Sequence, residues 1–302
     1  MYVLKARTLP LSPRHPVNAG EVDNLTLETR SQKLMQLHIV VCAGIVPDPL
    51  QTLEPVMGPN GPGLKNEMML PAVLDPWAAS ALYEAANLVA KHQGSKLWLV
   101  SLGPKAKLQQ VMMTIAQKVS FELVAIDAPV SGFADSHATA AALTDAIDAI
   151  AGLEKAKLLL FGGWESATRG AGVTLQIVGE RLGITDQFMG VDQIAMREDG
   201  SFEVLERVEG GRHQVSVCEG APAVLGWATG NLPEPRNNPQ IGMVNMRTVM
   251  PALLRAKPTL LAENRLEYVS ASLPKQQRQT RVVKDMAADA IALELVEWIG
   301  AK

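Results

Sequence analysis

The sequence predicts an α/β protein built on a doubly wound, mostly parallel sheet, with an antiparallel hairpin addition and an extended C-terminal arm. Three observations predict it. Short apolar runs alternate with amphipathic helical stretches from Leu37 to Gly183. Two turn signals follow, Asp199-Gly200 and Gly210-Gly211, each flanked by alternating residues. A long connection rich in Pro, Asn and Arg then leads to one last amphipathic stretch.

Taken in order, residues 1–36 carry prolines and charges with little periodicity and read as an N-terminal extension. LHIVVCAGIV (37–46) is β-branched and apolar, a buried strand that VPDP ends. Residues 50–73 are rich in Pro, Gly and Asn and read as loop. DPWAASALYEAANLVAKHQG (75–94) reads as a helix with Asp75 as N-cap, Pro76 at the first helical position and Gly94 as the stop. Trp77, Ala81, Leu82, Ala85, Leu88 and Val89 form its apolar stripe. A strand over 96–103, a helix over 104–119, a strand over 121–129, a helix over 136–152 and a strand over 156–163 continue the alternation, and a helix ends near Gly183. The stretch 191–220 reads as a β-meander and 221–230 as another buried strand. Within the connection over 231–282, VNMRTVMPALLRAK has helical character, and 286–300 is a terminal amphipathic helix. The expected organisation is an extension (1–36), an α/β domain (37–230) and a recognition loop with a C-terminal arm (231–302).

Composition bounds the function. The chain has 302 residues, 47% apolar and 20% charged, ordinary values for a soluble globular protein. A net charge of −3 argues against bulk binding to nucleic acid or an anionic membrane. No apolar run reaches the ~20 residues of a membrane span, and the N-terminus lacks an apolar signal core. Two cysteines make neither a disulfide framework nor a zinc pattern and fit a reducing cytoplasm. The five histidines show no metal-ligand spacing, and no Ser–His–Asp or paired-carboxylate set can be assigned. Cys42 reads as a small buried hydrophobe, His38 as structural, and Asp48 and Glu165 as solvated loop charges.

An open parallel sheet binds ligands beyond the carboxyl ends of its strands, where the strand order reverses. If strand 37–42 is the first and 157–162 the fourth, their ends flank that point. The second end is GGWESATRGAGVTLQ (162–176), a run of glycines and hydroxyls with one cation, Arg169. Two readings stand side by side. The loop turns the chain, or its glycines and helix-start amides cradle an anion, with Arg169 adding a charge-assisted contact. A G-x-G-x-x-G after the first strand is absent, as is a Walker pattern, so neither a standard dinucleotide dehydrogenase nor a P-loop enzyme is supported.

Five segments together resemble one family, the β subunit of electron transfer flavoproteins. VVCAGIVPDP (40–49) is similar to its CVKQVPDP opening, and LDPWAASALYEAANL (74–88) to its INPFDEYALEEAL helix start. VSLGP (100–104), RVEGGRH (207–213) and LPEPRNNP (232–239) resemble its S-x-GP turn, R-x-IDGG hairpin and NEPRYP element. They occur in family order over roughly 37–258. The resemblance implies a heterodimer with an α subunit that holds FAD, an AMP or a second FAD in this chain, and a flavin dehydrogenase as partner. It also implies an electron-carrier subunit without substrate turnover of its own. An electron-bifurcating flavoprotein and a stand-alone adenine-nucleotide module are the alternatives. The implied nucleotide site comprises Ala43, Gly44, Asp75, Pro76, Trp77, Leu102 and Gly103. It continues with Gly163, Ser166, Thr168, Arg169, Gly170, Ala171, Gly172, Val173 and Thr174. Ile241 and Met243 are the implied partner contacts. Family acids become Thr168 and Gly170 here, a Gln becomes Val173, a basic residue becomes Trp164, and Gly44 stands for a Lys. Fewer acids beside a cation favour more phosphate.

Overall fold

The computed structural model describes residues 36–58, 61–128, 133–166, 172–261, 268–275 and 280–300. The expected extension, all but its last residue, lies outside them. β1 (His38–Cys42) is a central strand, with Ile39, Val40 and Val41 fully buried. The expected single strand over 37–46 breaks after Cys42. Its remainder, β2 (Ile45–Pro47), leaves the sheet to pair with β5 (Ala72–Leu74). Between them β3 (Pro55–Gly58) and β4 (Gly61–Leu64) form a hairpin, and Glu67–Met69 a 3-10 turn. A loop is expected there. Pro and Gly mark the turns, and the short strands they separate carry too little alternation to be read.

The rest of the chain alternates. α1 (Pro76–Lys91) leads to β6 (Lys96–Gly103), α2 (Lys105–Ile115), β7 (Glu122–Asp127), α3 (Ser136–Asp148), β8 (Leu158–Gly163) and α4 (Thr174–Arg181). The meander β9 (Gln187–Met196), β10 (Phe202–Val208) and β11 (Arg212–Cys218) is antiparallel, and its turns use Gly200, Gly210 and Gly211 at positive φ. β12 (Ala223–Trp227), α5 (Pro239–Arg255) and α6 (Ala288–Gly300) complete the described elements.

Among the described residues the main sheet has eight strands in the order β11-β10-β9-β12-β8-β1-β6-β7. β1 pairs in parallel with β6 on one side and β8 on the other, so the order reverses at β1. Alternate residues of each strand face opposite layers. Ile39, Val41, Leu159 and Phe161 face the layer that buries Leu82 of α1, Leu108 of α2 and Val249 of α5. Val40, Val100, Leu158 and Leu160 face Leu143 of α3 and Val178 of α4. Apolar residues on both faces are what a covered parallel sheet requires. α6 differs from the other helices. None of its residues is buried, although Leu293, Val296, Trp298 and Ile299 are each about two-thirds exposed. No described helix is long and apolar enough to cross a membrane.

Within the expected recognition loop and arm (231–302), the helical stretch expected from Val244 begins earlier, at Pro239, and forms α5. Asn238 caps that helix by accepting the Gln240 N–H at 3.0 Å, and Pro239 fills its first turn. Ile241 is therefore a half-buried first-turn residue of a helix and not a loop tip, while Met243 and Val244 beside it are exposed.

Candidate functional site

A cavity of about 480 Å³ opens at the carboxyl ends of β1 and β8. Its floor is the chain leaving β1, Cys42 to Pro47, together with Gly162 and Gly163. One wall is the end of β6 and start of α2, with Leu102, Gly103, Pro104 and Lys107. Another is the start of α4, with Gly172, Thr174 and Leu175, beside Glu165 and Ser166. Asp75 and Ala78 of α1, Thr139 and Leu143 of α3, and Glu67 and Met68 of the 3-10 turn close it.

Of the residues expected at a nucleotide site, Ala43, Gly44, Asp75, Leu102, Gly103, Gly163, Ser166, Gly172 and Thr174 line this one cavity. Pro76, Trp77 and Val173 stand beside it without lining it. Thr168, Arg169, Gly170 and Ala171 lie outside the described residues. Lys107, Glu67 and Met68 were not expected from sequence. A lysine in the first turn of a helix, where the dipole disfavours it, was the available signal for Lys107.

Four helices begin around the cavity, and they are not equivalent. Asp75 accepts the Trp77 N–H at 3.0 Å and closes the start of α1. Asp127 accepts the Lys105 N–H at 3.0 Å at the start of α2, and Asp135 accepts the His137 N–H at 2.9 Å at the start of α3. Only α4 has no side-chain cap among the described residues. Among the described residues no side chain accepts from its first-turn amides, and a helix start of that kind carries the partial positive charge that suits an anion.

Two glycines of the loop answer to the protein's own packing. A Cβ on Gly163 would stand 2.7 Å from the Trp77 Cβ, so β8 abuts the first turn of α1. A Cβ on Gly172 would stand 2.0 Å from the Trp164 carbonyl oxygen, where the loop returns across its own entrance. Gly44 is the reverse case. Nothing lies within 4 Å of a Cβ there, and the residue lines open space.

Trp164 stacks edge-on against Trp77, with centroids 6.3 Å apart. The buried Nε1 groups of Trp164 and Trp227 lack a hydrogen-bond partner among the described residues. Burial pushes the Cys42 thiol up to about 12, so it stays protonated at neutral pH. No described group of His, Cys, Asp and Glu side chains is arranged to hold a metal.

The meander holds a polar clasp, none of whose residues lines the cavity. Arg207 donates to both oxygens of Asp192, at 3.1 and 2.8 Å, and His213 Nε2 lies 2.9 Å from the same carboxylate. Burial alone would raise the Asp192 carboxyl. The hydrogen bonds from His213 and Arg207 and their charges outweigh burial and hold it below its ordinary value. The RVEGGRH segment thus supplies both basic partners of a buried acid on β9, and the Thr229 hydroxyl donates to the same carboxylate at 3.4 Å.

The cavity has the size, position and anion-ready helix start expected of a nucleotide site in a doubly wound sheet. A comparison with curated proteins finds no match. The family model of the electron transfer flavoprotein domain matches residues 66–250, from the 3-10 turn through most of α5. That span is more than half of the chain and carries three of the cavity's walls, and the chain belongs to the electron transfer flavoprotein family.

Proposed function

We propose that this chain is the β subunit of an electron transfer flavoprotein. It holds an adenine nucleotide in the cavity at the ends of β1 and β8 and pairs with an FAD-bearing α subunit. The observation that carries the reading is the cavity bordered by α4, the one of the four helix starts around it that lacks a carboxylate cap among the described residues. A nucleotide there places its phosphate on the α4 amides near Thr174, with its remaining surface against Ala43, Leu102 and Leu143. Lys107 adds the one lysine of the described wall. FAD, when bound in the assembly, supplies the redox chemistry. This chain's residues position cofactors, exclude water and present docking surfaces.

The partner reading rests on the C-terminal arm. An apolar helix with no buried residue is a surface that another chain covers, and the α subunit is the proposed cover. The exposed Met243 and Val244 of α5 are the proposed contact with the flavin dehydrogenase, because Met suits adaptable docking. A second reading puts a second FAD in this chain, as in a bifurcating subunit; the replacement of family acids with Thr168 and Gly170 leaves more room for phosphate charge but does not itself select bifurcation.

Denaturing the purified complex and weighing the released small molecules tests the proposal. One FAD with one AMP is the expected outcome. Two FAD per heterodimer selects the bifurcating reading. A complex that releases no adenine nucleotide beyond the α-subunit FAD would overturn the cavity assignment.

A further inference from the structure

The 3-10 turn Glu67–Met69 reaches the cavity from outside the main sheet. Glu67 and Met68 line the wall, yet none of the turn's residues is buried, and Met68 and Met69 are 78% and 85% exposed. No apolar anchor holds it there. Its hairpin, β3–β4, makes a separate two-stranded sheet. Such a segment belongs to the low-stability end of a fold unless something ties it down.

Polar ties do so. The Glu67 carboxylate accepts the Leu64 N–H at 3.2 Å and joins the turn to its hairpin. Lys107, from the first turn of α2, donates its Nζ to the Leu70 carbonyl and lies 3.5 Å from the Glu67 carbonyl. These are the carbonyls at the two ends of the turn. The Lys107 ammonium makes no ion pair among the described residues, so its charge is left to a cavity suited to anions. Lys107 also lines a second groove of about 360 Å³, with Met68, Met69 and Pro104. Pro104, Lys107 and Met68 therefore form a partition with open space on both sides.

We propose that the Glu67–Leu70 segment is a lid on the nucleotide cavity and that Lys107 is the positioning residue that latches it. This rests on the nucleotide reading above and adds what retains the ligand. A phosphate in the cavity would hold the same ammonium in place between the anion and the turn's carbonyls. Nucleotide and lid then hold each other in place.

Lys107→Met and Lys107→Arg, each prepared as the assembled complex, test it. Release of the bound nucleotide into excess unlabelled AMP is followed by mass analysis. Thermolysin cleavage near Met68 and Met69 is followed in parallel. Loss of one charge-assisted hydrogen bond predicts nucleotide release at least about tenfold faster in Lys107→Met. Cleavage is also faster, and Lys107→Arg stays near wild type. Unchanged release together with unchanged cleavage in Lys107→Met overturns the latch while leaving the nucleotide reading intact. A wild-type complex without nucleotide overturns that reading instead, and the cleavage comparison then still decides whether Lys107 holds the turn. Faster release with unchanged cleavage would make Lys107 a plain phosphate contact and would also overturn the lid.

Discussion

His38 shows how a single buried side chain sets a pH limit. It lies beneath the sheet end, its Nδ1 accepting the Glu154 N–H at 2.9 Å and its ring edge-on to Trp98. Burial lowers its pKa, with Lys96 and Lys157 acting in the same sense against the opposing Glu154 carboxylate. The folded state therefore favours the neutral ring. Its contribution is fully present above the ordinary histidine value of about 6.5 and is lost as pH falls from there through the folded pKa. His38→Asn keeps an acceptor for the Glu154 amide but takes up no proton. Urea midpoints measured between pH 7.5 and 5 should fall less steeply in that variant than in wild type, and equal slopes would remove His38 from the account. Gly172 sets a steric limit of the same local kind. Gly172→Ala puts a methyl against the Trp164 carbonyl, a clash with backbone that cannot rotate away. A loss of about 1–3 kcal/mol is expected from denaturant unfolding. The sequence showed that small residues were needed between β8 and α4. It could not show which of them meet the chain itself and which meet open space, because that depends on how the loop crosses back.

Elements were legible where their ends carried their own chemistry. Asp75-Pro76 announced α1, and the structure places the cap and the first-turn proline there. The Asp-Gly and Gly-Gly pairs announced the meander, and all three of its glycines that turn the chain have positive φ. Ends without such marks were read too long. The expected helix over 104–119 stops at Ile115, and that over 136–152 stops at Asp148. α5 was half-hidden by Pro251 in its interior, a residue that ordinarily argues against a helix. The clasp within the meander was invisible, because Asp192, Arg207 and His213 meet only once β9, β10 and β11 are in register. Arg207→Met leaves the buried Asp192 carboxylate with one fewer donor pair. It should cost roughly 1–3 kcal/mol and raise the Asp192 pKa. Carbon-detected NMR titration of that carboxyl against thermal melting separates the two effects, and an unshifted titration would mean that His213 and Thr229 suffice without Arg207.

At the scale of the whole molecule, apolar periodicity gave the fold class, because a sheet covered on both faces leaves little room for other patterns. The cavity was legible for the same reason. Strand ends at a reversal of order collect ligand-facing residues whatever the ligand, so Ala43, Gly44 and Gly163 could be placed together in advance, while Leu102 and Gly103 came from the family resemblance alone. What the pattern could not give was the lid, which is held by backbone carbonyls that no side-chain spacing records. It also could not rank the four helix starts, since a cap such as Asp127 for α2 comes from another strand.

Strand order has a further consequence, in the sequence of synthesis. β9, β10 and β11 are joined by short turns and can zip together as soon as they emerge, because nearby pairings form early. β1, β6, β7 and β8 can assemble separately, with their helices as crossovers. Yet the two groups are not neighbours in the finished sheet, since β12 lies between β8 and β9 and is translated after both. Residues 223–227 are the keystone. A chain halted short of them lacks the one strand that pairs with both groups, and β8 and β9 each keep an unpaired edge.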